Sequence, residues 1–225
     1  MIQHLNTNIS FCELDGRLFF LDIQNDLYFQ LSRTLERSLL NYLEAPDDAS
    51  IDISRLVKHN LISQPMARRY DKPATSIAVP VESAIEKPCP DRRVPFDVVR
   101  DVFLIVAVMR SQLKVRRLKP ILQALSNYRN SRTSPPVHDQ ARIRQHLLEA
   151  ANAFNRVRPY VPIEMCCLID SLSMVRFLAR RGLHAHLVMG VACDPFSAHA
   201  WVQHGPLVLN ETVGTAQTYV PIRVI

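Results

Sequence analysis

The chain is poor in glycine, with five in 225 residues. They stand apart, so no glycine-rich loop of the kind that cradles phosphate is present. Long apolar runs are missing too. The longest, Val102–Met109, falls far short of the ~20 residues that cross a bilayer, so no membrane partner is expected. The opening stretch MIQHLNTNIS lacks a basic segment followed by an apolar one, so no secretory signal is expected. Five cysteines, an odd number with no repeated spacing, argue against a disulfide framework and for a reducing, cytoplasmic setting. His184 and His186 share a strand face, but no acid or cysteine stands at ligand spacing beside them, so no metal is expected. Arg55, Lys58 and His59 are too few for a basic recognition helix, so nucleic acid is not expected either. The net charge of +6 still suits an anionic partner such as an acidic peptide.

Proline, by contrast, is plentiful, with fifteen. Pro65, Pro73, Pro80, Pro88, Pro90 and Pro95 crowd a stretch with little helical period. That stretch reads as a partly extended linker, with Thr75–Val81 as a possible short strand. It divides the chain into 1–64, 65–95 and 96–225.

Residues 8–31 alternate in β fashion around two turn signals, Asp15-Gly16 and Asn25-Asp26, which predicts a three-stranded meander. Ser32 is an N-cap for a helix with Glu36 in its first turns, and Leu35, Leu39, Leu40 and Tyr42/Leu43 give it an apolar face. A shorter helix is expected at Ile53–Leu61, with a weak third one after it. Further on, Phe96–Leu118, Pro120–Tyr128 and Gln140–Arg156 carry helical periods. Arg110, Lys114, Arg116, Arg117 and Lys119 form a basic cluster, read as a solvated face or as a docking surface for a partner protein or acidic peptide.

The region from Cys166 to Glu211 carries the chemistry. Leu168, Leu172, Val175 and Leu178 recur at helical spacing, and Gly182 sits where a helix ends. Strand-like runs follow at His184–Val191, Ala198–His204 and Leu207–Val213, the last two joined by Gly205-Pro206. A thiol at a helix N-terminus feels the positive end of the helix dipole, which favours thiolate. Strand alternation points His199 and Trp201 one way, Ala200 and Val202 the other. The order cysteine, histidine, acid suits a cysteine nucleophile with a general base and an orienting carboxylate. Periodicity alone does not choose between Cys166 and Cys167.

Within this region Cys167-Leu168, Ser171-Leu172, Arg181-Gly182, Ala185-His186-Leu187-Val188, Gly190-Val191, Phe196, His199-Ala200-Trp201-Val202 and Val208-Leu209-Asn210-Glu211 resemble the C-terminal domain of the lasso-peptide B proteins, leader peptidases of the microcin and capistruin type. The resemblance implies an α+β fold of the transglutaminase or papain type, with a catalytic helix packed on an antiparallel sheet. It puts the nucleophile on Cys167, the base on His199 and the acid on Glu211, where the family commonly has Asp. The phrase from Leu18 to Ser32, LFFLDIQNDLYFQLS, resembles the hairpin and third strand of the PqqD-type leader-recognition domain, a small winged-helix-like plan. Such a domain takes up an extended peptide on the edge of its third strand. Asp26, Leu27, Tyr28, Phe29 and Leu31 are then the expected leader-binding residues, with Leu56 and Leu61 on the other wall.

The implied function is a cysteine endopeptidase that binds and removes the leader of a ribosomally made precursor. The freed core peptide would pass to an asparagine-synthetase-like lasso cyclase. No cofactor is assigned to this chain, and an ATP dependence is expected through that cyclase; the residues leave open whether nucleotide also touches this chain. Two other outcomes fit the same residues: an acyltransferase in which an amine resolves the thioester, and a non-catalytic leader-binding scaffold.

Overall fold

Asp15 and Gly16 both take left-handed backbone, with φ of 51° and 68°. That geometry closes a two-residue hairpin between neighbouring antiparallel strands. A computed structural model of the chain describes residues 4–45, 53–63, 77–87, 93–133 and 140–225. In it β1 (His4–Leu5) precedes the hairpin strands β2 (Ile9–Leu14) and β3 (Arg17–Asp22), and β4 (Leu27–Gln30) follows. The strand order is β2-β3-β4, all antiparallel. The turn into β4 is built by Asp22, whose carboxylate accepts from the main-chain N–H of Gln24 at 2.8 Å and from the Asn25 side chain at 2.7 Å.

Two helices cover one face of this sheet: α1 (Arg33–Glu44) and α2 (Ile53–Lys58). Ser32 caps α1 as its sequence predicts, accepting from Leu35 N–H. Glu36 does more than favour the helix dipole. It is buried, accepts from Leu18 N–H at 2.6 Å and pairs with Arg17 at 3.2 Å, which bolts α1 to β3. β5 (Ile62–Ser63) then returns to pair with β1. The weak third helix expected here falls on residues 64–76, outside the described residues.

The second unit opens on β6 (Glu82–Ser83) and continues through α3 (Phe96–Val115), α4 (Leu118–Arg132) and α5 (Gln140–Val157). A 3-10 turn at Arg158–Tyr160 leads to α6 (Cys167–Arg180), β7 (His186–Ala192), β8 (Ser197–His204), β9 (Leu207–Val208), α7 (Val213–Thr218) and β10 (Val220–Val224). The sheet runs β10-β7-β8-β9-β6, antiparallel except for the β6–β9 pair. α6 is the central element, packed on β8 with α3, α4 and α5 around it. Its C-terminus closes on Gly182 at φ 74°, with Leu183 N–H bonded to the Leu178 carbonyl, the arrangement that satisfies a helix's last carbonyls. The whole is a mixed α+β architecture.

Two features differ from the expectation of separate parts joined by a linker over 65–95. First, 77–87 lies on the second unit. Ala84 is fully buried, its N–H donates to the Val208 carbonyl, and the Ala78 and Pro80 carbonyls accept from the side chains of Gln203 and Gln217. Proline has no N–H to offer a sheet, so carbonyls and glutamine amides do the tying. The strand forms at Glu82–Ser83; of the expected Thr75–Val81, the described residues 77–81 are not in a strand, and Thr75 and Ser76 lie outside the described residues.

Second, β3 is covered on both faces. Leu18 and Phe20 enter the small core beneath α1 and α2, while Phe19 and Leu21 enter the main core with α3, α4 and α6. Each such side chain contributes about 1.5–3 kcal/mol, so the two units share a wall. Polar contacts reinforce it. Asp26 accepts from Leu118 N–H at 3.2 Å, so it caps α4, and Lys119 bonds Gln24 at 2.9 Å. Part of the basic cluster is thus committed to holding the β3–β4 turn.

Candidate active site

The entry into α6 is clamped by one buried arginine. Arg158 is 3% exposed. It donates to the carbonyls of Ile163 and Glu164, each at 3.0 Å, and its Nε meets Asp170 Oδ1. Asp170 Oδ2 accepts from Cys166 N–H at 3.2 Å. The first turn of α6 is therefore fixed to the loop before it. Neither Arg158 nor Asp170 stood out as a candidate; the only available signal was an acid in the first helical turn.

Cys166 is the exposed N-cap of α6 and Cys167 its half-buried first residue. Cys167 lines a cavity of about 350 Å³ together with His199, Tyr28, Leu168, Met189 and Ala200, and Cys166 does not. Geometry thus separates two neighbours that helical period left equivalent. Burial pushes the Cys167 thiol above its usual range, with main-chain hydrogen bonds of Ala200 and Leu168 partly offsetting this. Desolvation thus opposes the helix-start preference for thiolate.

His199 is carried by β8 opposite Gly190 of β7. Its Nε2 lies 3.0 Å from Glu211 Oε2, which leaves Nδ1 as the nitrogen not engaged by the acid. The ring stacks on Tyr219 at 5.0 Å and on Trp201 at 6.3 Å. Trp201 is anchored in turn by its indole N–H on Gln203 Oε1 at 2.9 Å. Gly190 makes this stack possible: a Cβ there would stand 2.8 Å from the Trp201 ring and 2.9 Å from Tyr219 Cβ.

Glu211 lies not on a long strand but in the bend after β9, because the chain turns there into α7, capped by Thr212. Its carboxylate Oε1 accepts from Thr212 N–H at 2.9 Å, and its main-chain carbonyl accepts from the Ser83 hydroxyl at 2.6 Å. The neighbouring Asn210 accepts from Val202 N–H at 2.7 Å and donates to Ser171 Oγ at 2.9 Å. Ser171, fully buried, donates to the Ala200 carbonyl at 3.0 Å. This polar chain locks the helix bearing Cys167, the strand bearing His199 and the bend bearing Glu211 into one register.

The seven expected leader-binding residues divide. Leu27 is 53% exposed. Tyr28 faces the Cys167 cavity, whereas Phe29 stacks on Phe20 at 5.2 Å toward the small core. Asp26 is committed to α4. Leu31, Leu56 and Leu61 are buried in the small core, so they close the unit instead of lining an open wall. Among the described residues β4 pairs only with β3, and its other edge is free. His184 and His186 pack ring to ring at 4.8 Å beside Arg129, and burial holds His184 down to about 4. Among the described residues no group of three or more His, Cys, Asp or Glu side chains is placed to hold a metal. No described helix is long and apolar enough to cross a membrane.

Residues 106–224 match the transglutaminase-like superfamily. The chain is also 44% identical over 45 residues to the microcin J25-processing protein McjB of Escherichia coli, a match covering 20% of this chain and 22% of that protein. No solved structure matches it.

Proposed function

The chain belongs to the transglutaminase-like superfamily, and on that premise we propose that it is a cysteine peptidase that removes the leader from a lasso-peptide precursor. The observation that carries this reading is that Cys167 and His199 line one cavity, with His199 bonded to Glu211 through Nε2. The partial likeness to a microcin-processing protein supports the substrate class.

The Cys167 sulfur attacks the scissile carbonyl carbon as its proton passes to His199 Nδ1. The C–N bond breaks and the amine leaves with that proton. Water then attacks the thioester, His199 takes the water's proton, and the leader departs with a C-terminal carboxylate while the thiol is restored. Glu211 holds the imidazole in one tautomer and stabilises its cation. The main-chain N–H of Cys167, at the first position of a helix, is free to meet the developing oxyanion.

The leader adds to the free edge of β4 along Asp26–Leu31 by main-chain hydrogen bonds, with Leu27 as the exposed side chain. The core peptide then passes to an asparagine-synthetase-like cyclase, which consumes the ATP. Incubation of the full chain with its precursor and that cyclase, read by mass spectrometry, tests this. Wild type and Cys166→Ala release a leader ending in a free carboxylate, and Cys167→Ala releases none while still binding leader. Full maturation by Cys167→Ala refutes the peptidase assignment, and a leader ending in an amide makes the chain an acyltransferase.

A further inference from the structure

The catalytic cavity is not made by the second unit alone. Leu21, Asp26 and Tyr28 from the N-terminal sheet form one wall, with Leu113, Arg116 and Leu118 from the α3–α4 corner beside them. Leu21, Leu113 and Leu118 are apolar, Asp26 is engaged by Leu118 N–H, and Arg116 is exposed. Tyr28 brings a hydroxyl to the same cavity as Cys167. Its ring is fixed edge-on to Phe196 at 5.9 Å. Its hydroxyl makes no hydrogen bond to any described residue, and Tyr28 and Cys167 line the same cavity.

We propose that the Tyr28 hydroxyl is a catalytic hydrogen-bond donor, joining the Cys167 main-chain N–H in stabilising the oxyanion that forms when the thiol attacks a carbonyl. This rests on the cysteine-acylation chemistry proposed above. Burial beside Cys167 pushes the phenol up to about 12, so it keeps its proton, and hence its donor role, across neutral pH. Among the described residues it has no hydrogen-bond partner in the resting state; the oxyanion supplies an acceptor. A donor used only at that stage lowers the barrier without tightening ground-state binding. Tyr28 also belongs to β4, the strand whose free edge takes the leader. A leader paired there is hydrogen-bonded to the backbone that carries the donor, which links recognition to catalysis.

The test uses the full chain and two small probes. p-Nitrophenyl acetate acylates a cysteine through a tetrahedral oxyanion; iodoacetamide alkylates it by direct displacement and forms none. Tyr28→Phe retains the ring and the cavity wall. The expected result is Cys167-dependent nitrophenolate release slowed by about 10²-fold, mainly in kcat, as for loss of one oxyanion donor. The iodoacetamide rate should stay within about twofold and leader affinity should not change. Release at the wild-type rate overturns the proposal, and so does a matching fall in alkylation, which would place the effect on the thiol itself. Absence of Cys167-dependent release in the wild-type chain is a different result: it refutes the acylation chemistry.

Discussion

Replacing Gly190 by alanine tests how closely the histidine is held. The new methyl would sit 2.8 and 2.9 Å from two carbons of the Trp201 ring and 2.9 Å from Tyr219 Cβ. All three separations are too short for carbon atoms, and Trp201, 1% exposed, has no room to retreat. Overpacking of this kind costs about 1–3 kcal/mol. At about 2–4 °C per kcal/mol for a chain of this size, the melting temperature should fall by roughly 2–12 °C. The rings that must shift are the two stacked on His199. A displacement of the base by ~1 Å can slow the chemistry by about 10²-fold, so kcat should drop even well below the mutant's melting point. Gly214→Ala is the control, since nothing lies within 4 Å of its added Cβ. Circular-dichroism melts and precursor-cleavage rates read both effects. If Gly190→Ala melts and cleaves as wild type does, the stacked-ring account of His199 is wrong.

Three further outcomes are expected. Glu211→Gln keeps an acceptor near His199 but removes the charge that supports the imidazolium, so kcat should fall by roughly 10²–10⁴-fold with little change in leader affinity, measured by cleavage kinetics and peptide titration. Asp26→Ala loses the cap on α4 and leaves a Cβ-bearing residue at φ 55° without its side-chain bond, a loss of about 1–3 kcal/mol in urea unfolding; Asp26→Asn, which tolerates that backbone and keeps an acceptor, should lose less. His184, held near 4 against an ordinary 6.5, takes up a proton on unfolding, so its contribution to stability is present above about pH 6.5 and is lost as pH falls toward 4; His184→Gln should flatten stability over that window in pH-dependent melts, modestly because the ring is only half buried.

Much of the fold could be read from local pattern because the relevant periods are short-range. The Asp15-Gly16 turn, the Ser32 cap and the Gly182 helix end each depend on a few neighbouring residues, and each forms where its sequence predicts. Long-range events were less legible. The run Leu18–Phe19–Phe20–Leu21 alternates between two cores, and an unbroken apolar run does not say what covers its second face. Residues 77–87 look like linker because proline suppresses sheet signals, yet side chains far along the chain capture their carbonyls. Glu211 was expected on a strand; Thr212, whose side chain caps α7, turns the chain first. The role of Arg158 is not legible in sequence, because a buried cation looks like any surface arginine until its partners at Ile163, Glu164 and Asp170 come together.

The doubly covered strand also bears on how this protein can be divided. Expressed without residues 1–64, the remainder would bare the hydrophobic seat of Phe19 and Leu21 and lose Tyr28 from the cavity beside Cys167. Such a fragment should be sticky and sluggish, and adding the missing piece as a separate polypeptide should restore both solubility and turnover. Reassembly from halves would show the two units to be one working body, with its seam running along the cavity that holds Cys167.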